Sequence, residues 1–219
     1  GLTHCIHDFW NYGSYHKEVG TQAKVITALG MFYDMEDPNQ FISDAAKALT
    51  EGGVFIAQLM CLKNMMDTND VGNICHEHLE FYSFHSLEYL FEHNGLEVFD
   101  VEINNVNGAS YRLFARKKGA DVTPAEGANE RIARVRQDEE GLDDKKVHLE
   151  FFERLETNKR KCVAFIKREV AKGKKVWVYG ASTKGNVILQ YYGLDHTLIE
   201  AAAERSPARW GKYTVGSMI

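Results

Sequence analysis

Apolar positions recur along the chain in runs that predict strands separated by helices. Short apolar or alternating runs predict strands at residues 3–7, 23–30, 54–60, 96–103 and 110–116. Apolar residues at helical spacing predict one helix from Pro38 that Gly52 and Gly53 end, and another over 86–93. The continuous run at 54–60 is typical of a strand in a parallel sheet covered on both faces. The alternating runs at 96–103 and 110–116 flank an Asn/Gly turn, so we expect an antiparallel edge.

The second half of the chain is predicted to be helical and then to begin a new α/β unit. Residues 124–172 mix acidic and basic side chains with an intermittent apolar stripe, which is typical of solvated helix faces. A strand at 176–179, a Gly-rich turn, a helix at 186–192 and a strand at 198–203 follow. The expected fold class is therefore α/β. The predicted parts are a first domain over 1–119, a helical connection over 120–172 and the start of a second Rossmann-like domain over 173–219.

Composition narrows the classes of protein that the chain can represent. The 26 basic and 31 acidic residues give a net charge of −5, so no basic excess favours nucleic acid or an anionic membrane surface. The four cysteines are scattered without a C-x-x-C pair, which disfavours a disulfide framework or a zinc knuckle and suits a reducing cytoplasm. No apolar run reaches the length of a membrane span. Because the sequence opens on Gly1 without Met and stops abruptly, we interpret it as an internal piece of a longer chain.

The most chemically active pattern is His76-Glu77-His78, in an irregular segment after a predicted buried strand. Loops at the carboxyl ends of parallel strands are where open α/β sheets place their sites. Imidazole beside a carboxylate suits general acid–base catalysis near neutral pH. Anchoring of the loop alone explains the pattern as well, and both interpretations stay open. Metal binding is disfavoured, because consecutive histidines lack the i, i+4 spacing of H-E-x-x-H and no further Cys/His pair completes a ligand set.

Three further segments carry possible binding residues. Asn107 and Arg112 flank Gly108, where a backbone could approach an anionic ligand closely, although a plain turn with a surface arginine explains them too. The segment 180–186 is a Gly-rich turn into a helix N-terminus, which suits a phosphate but is neither a Walker A loop nor G-x-G-x-x-G. Asp8-Phe9 and Ala28-Leu29 follow or end predicted strands, at positions that could line a nucleotide or simply complete the sheet.

These segments, in this order, resemble the sugar C-methyltransferase family, whose members use S-adenosylmethionine (SAM) and act on nucleotide-linked deoxysugars. The resemblance extends over nearly the whole chain and rests on five stretches: ITALGMFYDMEDPNQF (26–41), GGVFIAQLM (52–60), NICHEHLEFYS (73–83), NGASYRLF (107–114) and VWVYGASTKGN (176–186). It implies a class I methyltransferase sheet followed by a Rossmann-like domain. It also implies that zinc belongs only to an N-terminal domain whose cysteines this sequence does not contain, and that the glycine-rich SAM loop lies upstream of Gly1.

The resemblance implies roles for individual residues. His78 matches the family's proposed general base, Glu77 a sugar contact, and His76 lies beside them. Cys75 stands where better-known members have a tyrosine that is a second base candidate, which puts weight on His78 and leaves the sugar open. The implied roles of the other candidates are cofactor binding by Asp8, Phe9, Ala28 and Leu29, and substrate binding by Ser182, Thr183 and Lys184. To the substrate-binding residues we add Asn107 and Arg112, on the residue pattern described above.

Two alternatives to a methyltransferase stay open from the residues. One is a nucleotide-sugar-binding module of an oxidoreductase or epimerase built on the same α/β units. The antiparallel edge at 96–116 favours the methyltransferase, because nicotinamide enzymes usually keep a parallel sheet. The other is a non-catalytic binding protein, which the intact His-Glu-His segment disfavours. We expect a small-molecule substrate and the cofactor SAM, with no nucleic-acid or membrane partner; the sequence says nothing of oligomeric state.

Overall fold

A computed structural model describes residues 3–219, and the chain divides into two compact units. The first comprises the residues up to Asn64 together with Leu79–Leu142, and the second comprises Met65–His78 and Asp143–Ile219. The helices are α1 (Tyr12–Val19), α2 (Pro38–Ala48), α3 (Leu62–Asp67), α4 (Phe84–His93), α5 (Ala128–Asp138), α6 (Lys145–Ala171) and α7 (Thr183–Tyr192). The strands are β1 (Ala23–Leu29), β2 (Leu49–Met60), β3 (Leu96–Asn104), β4 (Ser110–Lys117), β5 (Trp177–Tyr179) and β6 (Ala201–Ala203).

The first unit is built on a four-stranded sheet in the order β1-β2-β4-β3. β1 and β2 are parallel, whereas β4 pairs antiparallel with both β2 and β3. The predicted α/β class and the predicted antiparallel pair are confirmed. Antiparallel pairing extends further than expected, because β4 inserts between β2 and β3 rather than lying at the edge.

The core of the first unit lies on one face of this sheet. Along β2, the fully buried Phe55 and Ala57 alternate with half-buried residues, as the period of two in a strand requires. The ring of Phe55 packs against Phe41 of α2 and Phe91 of α4, with centroids 6.3 and 5.6 Å apart. Each buried aromatic ring contributes about 1.5–3 kcal/mol through its removal from water. These contacts hold both helices on the sheet.

Two predictions about the first unit are wrong. Residues 3–7 form no strand. All five are exposed, so burial does not stabilise a strand at this alternating pattern. Gly52 and Gly53 do not end the helix: α2 stops at Ala48 and the chain continues directly into β2. Gly53 instead allows β1 to approach, since a Cβ there would lie 3.1 Å from the carbonyl oxygen of Ala23.

The second unit pairs β5 and β6 in parallel and packs α6 and α7 on a smaller core. That core contains Ile166, Leu189, Leu194, Ile199 and Ile219. The segment 120–172, predicted as one connection, contributes to both units. α5 belongs to the first, where Arg131 pairs with Asp100 of β3 at 2.6 Å, and α6 belongs to the second. The two compact units do not coincide with the three predicted domain ranges, which stay a prediction.

Within residues 3–219, no helix combines the length and the apolar character that crossing a membrane requires.

Candidate active site

The His-Glu-His segment is anchored on the second unit. Arg154 of α6 donates to the side-chain oxygen of Asn69 and to the backbone oxygen of Met66, both at 3.0 Å. Lys184 of α7 pairs with the carboxylate of Asp70 at 3.4 Å. Two helices from the end of the chain thus hold the segment that leads to His76.

A glycine allows this segment to lie directly on α7. The short 3-10 turn Val71–Asn73 is fully buried and packs at the start of that helix. A Cβ on Gly72 would lie 3.0 Å from the Cβ of Lys184 and 3.3 Å from its carbonyl oxygen. Any larger residue would push the turn away from the helix.

The ring of His78 is held by the backbone of the same turn. Its Nδ1 lies 2.7 Å from the carbonyl oxygen of Asn73, and the Asn73 side chain in turn donates to Asp70 at 2.7 Å. A carbonyl oxygen only accepts hydrogen bonds, so Nδ1 carries the proton. In the neutral ring Nε2 then has the lone pair that a general base needs. The arrangement orients the imidazole and selects its tautomer.

His76 and Glu77 occupy the corners of a tight turn. The N–H of His78 donates to the carbonyl oxygen of Cys75 at 3.2 Å, which closes residues 75–78 into the turn and exposes the two central side chains. Cys75, His76 and Glu77 line a cavity of about 770 Å³ in the second unit, which we call the turn cavity. Within residues 3–219, no three His, Cys, Asp or Glu side chains are grouped to hold a metal ion.

The start of α7 forms another part of the turn cavity. Ser182 and Thr183 line it, and the Ser182 hydroxyl caps the helix by accepting from the N–H of Gly185 at 3.1 Å. A helix N-terminus directs unpaired N–H groups and a partial positive charge outward, which favours an anion. The structure therefore brings the predicted residues His76, Glu77, Ser182 and Thr183 to one cavity.

Tyr191 also lines the turn cavity, but it is not suited to act as a base. Its hydroxyl donates to Glu156 at 2.6 Å, and this hydrogen bond raises the pKa of Tyr191 to about 12. The phenol therefore stays protonated at neutral pH. Of the His-Glu-His segment, His76 and Glu77 line this cavity, whereas His78 does not.

A second cavity of about 430 Å³ lies along β6, and we call it the β6 cavity. Glu204, directly after β6, accepts from the N–H groups of Ala181 and Ser206, both at 2.8 Å, and these bonds lower the pKa of its carboxyl. The cavity is lined further by Tyr213, Lys212 and Arg209. Arg209 also lines the turn cavity.

Comparison with known proteins identifies the family. A family model described as "C-methyltransferase C-terminal domain" matches residues 105–219, which is more than half of the chain. A second model, described as "Methyltransferase domain", matches residues 4–101. The chain belongs to the C-methyltransferase family. It is similar to C-methyltransferase NovU of Streptomyces niveus, with 30% identity over 206 residues, which are 93% of this chain and 49% of that protein. The chain thus spans about half the length of the curated relative that it matches.

The residues predicted to bind the cofactor SAM lie in the first unit. Phe9 is 90% exposed and Leu29, the last residue of β1, is 57% exposed, so both present apolar surface that a ligand could cover. Ala28 points to the opposite face and is buried. Asp8 accepts from Ser14, Asn11 and its neighbour Phe9, and these bonds lower the pKa of its carboxyl. Its carboxylate therefore already stabilises the start of α1.

Two predicted substrate-binding residues, Asn107 and Arg112, also lie in the first unit and line neither cavity. Asn107 adopts a left-handed φ of 54° in the turn between β3 and β4. Arg112 pairs with Glu102 on β3 and donates to Gln58 on β2, each at 3.2 Å. The guanidinium therefore bridges three neighbouring strands.

Sequence reasoning missed two residues at the candidate site, Arg209 and Asn73. Lys184, predicted as a phosphate ligand, pairs with Asp70 and lines neither cavity, whereas the unpredicted Arg209 lines both. Asn73, whose carbonyl orients His78, was also missed. No local pattern marks a backbone carbonyl or a lone arginine, and only the long-range packing on α7 distinguishes them.

Proposed function

We propose that the chain takes part in SAM-dependent methyl transfer to a carbon of a nucleotide-linked sugar or a similar small molecule, with His78 as the general base. The observation that carries the proposal is the hydrogen bond from Nδ1 of His78 to the carbonyl of Asn73, in a chain of the C-methyltransferase family. NovU, the similar protein, is named a C-methyltransferase. An oriented base is what carbon methylation requires of the protein.

The residues of the chain supply positioning and proton transfer. For methylation at carbon, Nε2 of His78 removes a proton from a substrate carbon next to a carbonyl. The electron pair of the resulting enolate would form the bond to the methyl carbon, while the methyl–sulfur bond breaks and its electron pair stays on sulfur. Glu77 and His76 contact the sugar, and Ser182 and Thr183 hold the phosphates at the start of α7. A positioned base contributes roughly 10²–10⁴ in rate.

The cofactor SAM supplies an electrophilic methyl group when bound. Phe9 and Leu29 fit a role in holding it, because their exposed apolar side chains suit the adenine ring and the aliphatic part. Ala28 contributes backbone at the end of β1. Asp8 fits only as a support of this segment, since its carboxylate already accepts three hydrogen bonds. In the first unit we assign Asn107 and Arg112 a substrate role, because Asn107 lies beside Gly108 and Arg112 has a planar guanidinium that suits an anion.

The test is methyl transfer from SAM with a labelled methyl group to a panel of nucleotide sugars. We expect His78→Ala to lower kcat by about 10²–10⁴, while the Kd for SAM stays unchanged. His196→Ala, at an exposed histidine of the same unit, is the matched control. Unchanged turnover in His78→Ala would exclude His78 as the base. A comparison with His76→Ala shows which imidazole carries the proton.

A further inference from the structure

Arg209 lies where the turn cavity and the β6 cavity meet. The two cavities share four lining residues, Ala181, Asn186, Arg209 and Val215. Of these only Arg209 carries a charge. It is also the permanent cation of the turn cavity, since the other lining residues are neutral, acidic or histidine.

The guanidinium of Arg209 is positioned by the turn that opens α7. Its Nη1 donates to the carbonyl oxygen of Ala181 at 2.6 Å and lies 3.4 Å from the carboxylate of Glu204. The side chain is still 53% exposed, and within residues 3–219 its Nε and Nη2 groups donate to no protein acceptor. A planar guanidinium held on one side keeps its remaining donors for a bidentate contact with an anion.

Arg209 and Lys212 both line the β6 cavity, and of its two carboxylates Glu204 pairs with Arg209 at 3.4 Å and Glu200 pairs with Lys175 at 2.7 Å. Because Lys175 balances Glu200 from outside the lining, these groups together carry one positive charge. The N-terminus of α7 adds its partial positive charge beside Ala181. An anionic group therefore fits between the two cavities, with uncharged parts of the same ligand on either side.

We propose that Arg209 binds the diphosphate of a nucleoside diphosphate sugar, with the sugar in the turn cavity and the nucleoside in the β6 cavity. His76 and Glu77 then face the sugar, and the exposed ring of Tyr213 is placed to stack on the base. Both cavities fall within the usual size range of small-molecule sites, roughly 300–1,000 Å³. The inference rests on the proposed function. It adds the orientation of the ligand in the two cavities and the side chain that binds its diphosphate.

The test is calorimetric titration of the chain with UDP, dTDP, GDP, ADP and inorganic pyrophosphate. We expect at least one nucleoside diphosphate to bind the unmodified chain, and Arg209→Gln to weaken it by tenfold or more. Arg209→Lys should recover part of the loss, because it keeps the charge without the planar fork. Arg205→Gln, an exposed arginine that lines neither cavity, makes the same change of charge and should stay within twofold.

Two further readouts separate binding from folding and locate the nucleoside. Tyr213→Ala should weaken nucleoside diphosphates and leave pyrophosphate unchanged. Thermal unfolding of Arg209→Gln should match that of Arg205→Gln. Nucleotide binding that survives Arg209→Gln overturns the inference and leaves the proposed function standing. Absence of binding by every nucleotide overturns the inference together with the nucleotide-sugar substrate, whereas methyl transfer is judged separately by the assay with His78→Ala.

Discussion

The carboxylate of Glu139 is buried in the first unit, and it shows how one residue ties several elements together. It accepts from the hydroxyl of Tyr111 on β4 and from the N–H of Phe84, at 2.7 Å, at the start of α4. Burial raises the pKa of Glu139, and it also raises the pKa of the neighbouring Cys61 thiol. These hydrogen bonds offset the cost of placing a carboxylate there.

This burial predicts a pH dependence of stability. Because the pKa of Glu139 is higher in the folded chain than its ordinary 4.5, the folded chain binds more protons than the unfolded chain between the two values. The contribution of Glu139 to the free energy of unfolding is therefore most favourable below about 4.5 and falls as pH rises through the raised pKa. We expect Glu139→Gln to remove that slope in urea unfolding at a series of pH values.

Glu140→Gln is the matched control, since Glu140 is the exposed neighbour of Glu139 and should keep the slope of the unmodified chain. Glu88 and His85 also lie near Glu139, and both variants retain them. Parallel pH profiles for Glu139→Gln and the unmodified chain would contradict the prediction.

At the same scale, the sequence predicted which side chains lie together at a cavity better than it predicted the contacts that hold them. His76, Glu77, Ser182 and Thr183 stand out by type and spacing, and they do line one cavity. The partner of His78 is a backbone carbonyl, which every residue has. Such a partner is specified only by the fold of the turn, so no residue pattern reveals it.

At the scale of elements, periodicity located most helices and strands, and it failed where local hydrogen bonds replace burial. α1 has no buried residue and depends on Asn11, whose side chain accepts from the N–H of Ser14 at 2.7 Å. Its sequence therefore shows no apolar stripe to recognise. The segment at 3–7 shows the opposite case: its alternating pattern is typical of a strand, but these residues pair with no strand of the sheet.

The contact between the turn Val71–Asn73 and α7 yields a prediction about packing. Gly72→Ala places a methyl 3.0 Å from Lys184, so the turn has to move away from the helix. We expect a loss of about 1–3 kcal/mol in the free energy of unfolding, which is typical of overpacking. Turnover should fall as well, because the turn carries the carbonyl that orients His78. Chemical denaturation and the methyl-transfer assay measure the two effects.

Gly185→Ala is the control for this prediction, because it adds the same methyl to α7 itself. Its Cβ would lie 3.4 Å from the Ser182 hydroxyl, an ordinary contact, and alanine favours a helix. It should be neutral or slightly stabilising. Equal stability of the two variants would show that the close approach of Gly72 to α7 does not matter.

At the scale of the whole molecule, the sequence did not predict that a segment from the middle of the first half joins the second unit. Contiguous ranges are the simplest interpretation of a sequence, because periodicity reports only neighbours along the chain. The interactions that assign residues 65–78 to the second unit involve Arg154 and Lys184, which are far along the chain. Membership of a unit is decided by such long-range contacts.

The two cores predict separate effects of two core substitutions. Phe55→Ala removes the ring at the centre of the first unit's aromatic cluster and should cost about 3–5 kcal/mol, while Ile199→Ala in the second unit should cost about 2–5 kcal/mol. Hydrogen exchange followed by mass spectrometry should show each loss of protection mainly in the unit that holds the substitution. The opposite pattern would show that these two cores are not the ones that stabilise their units.

The anchoring of residues 65–78 on α6 and α7 also has a consequence for biosynthesis. Arg154, the partner of Asn69, lies 85 residues later in the chain, and Lys184, the partner of Asp70, lies 114 residues after it. At 5–20 residues per second, the ribosome needs roughly 6–23 s to deliver the second of these partners. During that interval the sheet of the first unit can form, while the turn whose carbonyl orients His78 cannot yet pack on α7. The nascent chain can hold this turn in place only when translation has passed α7.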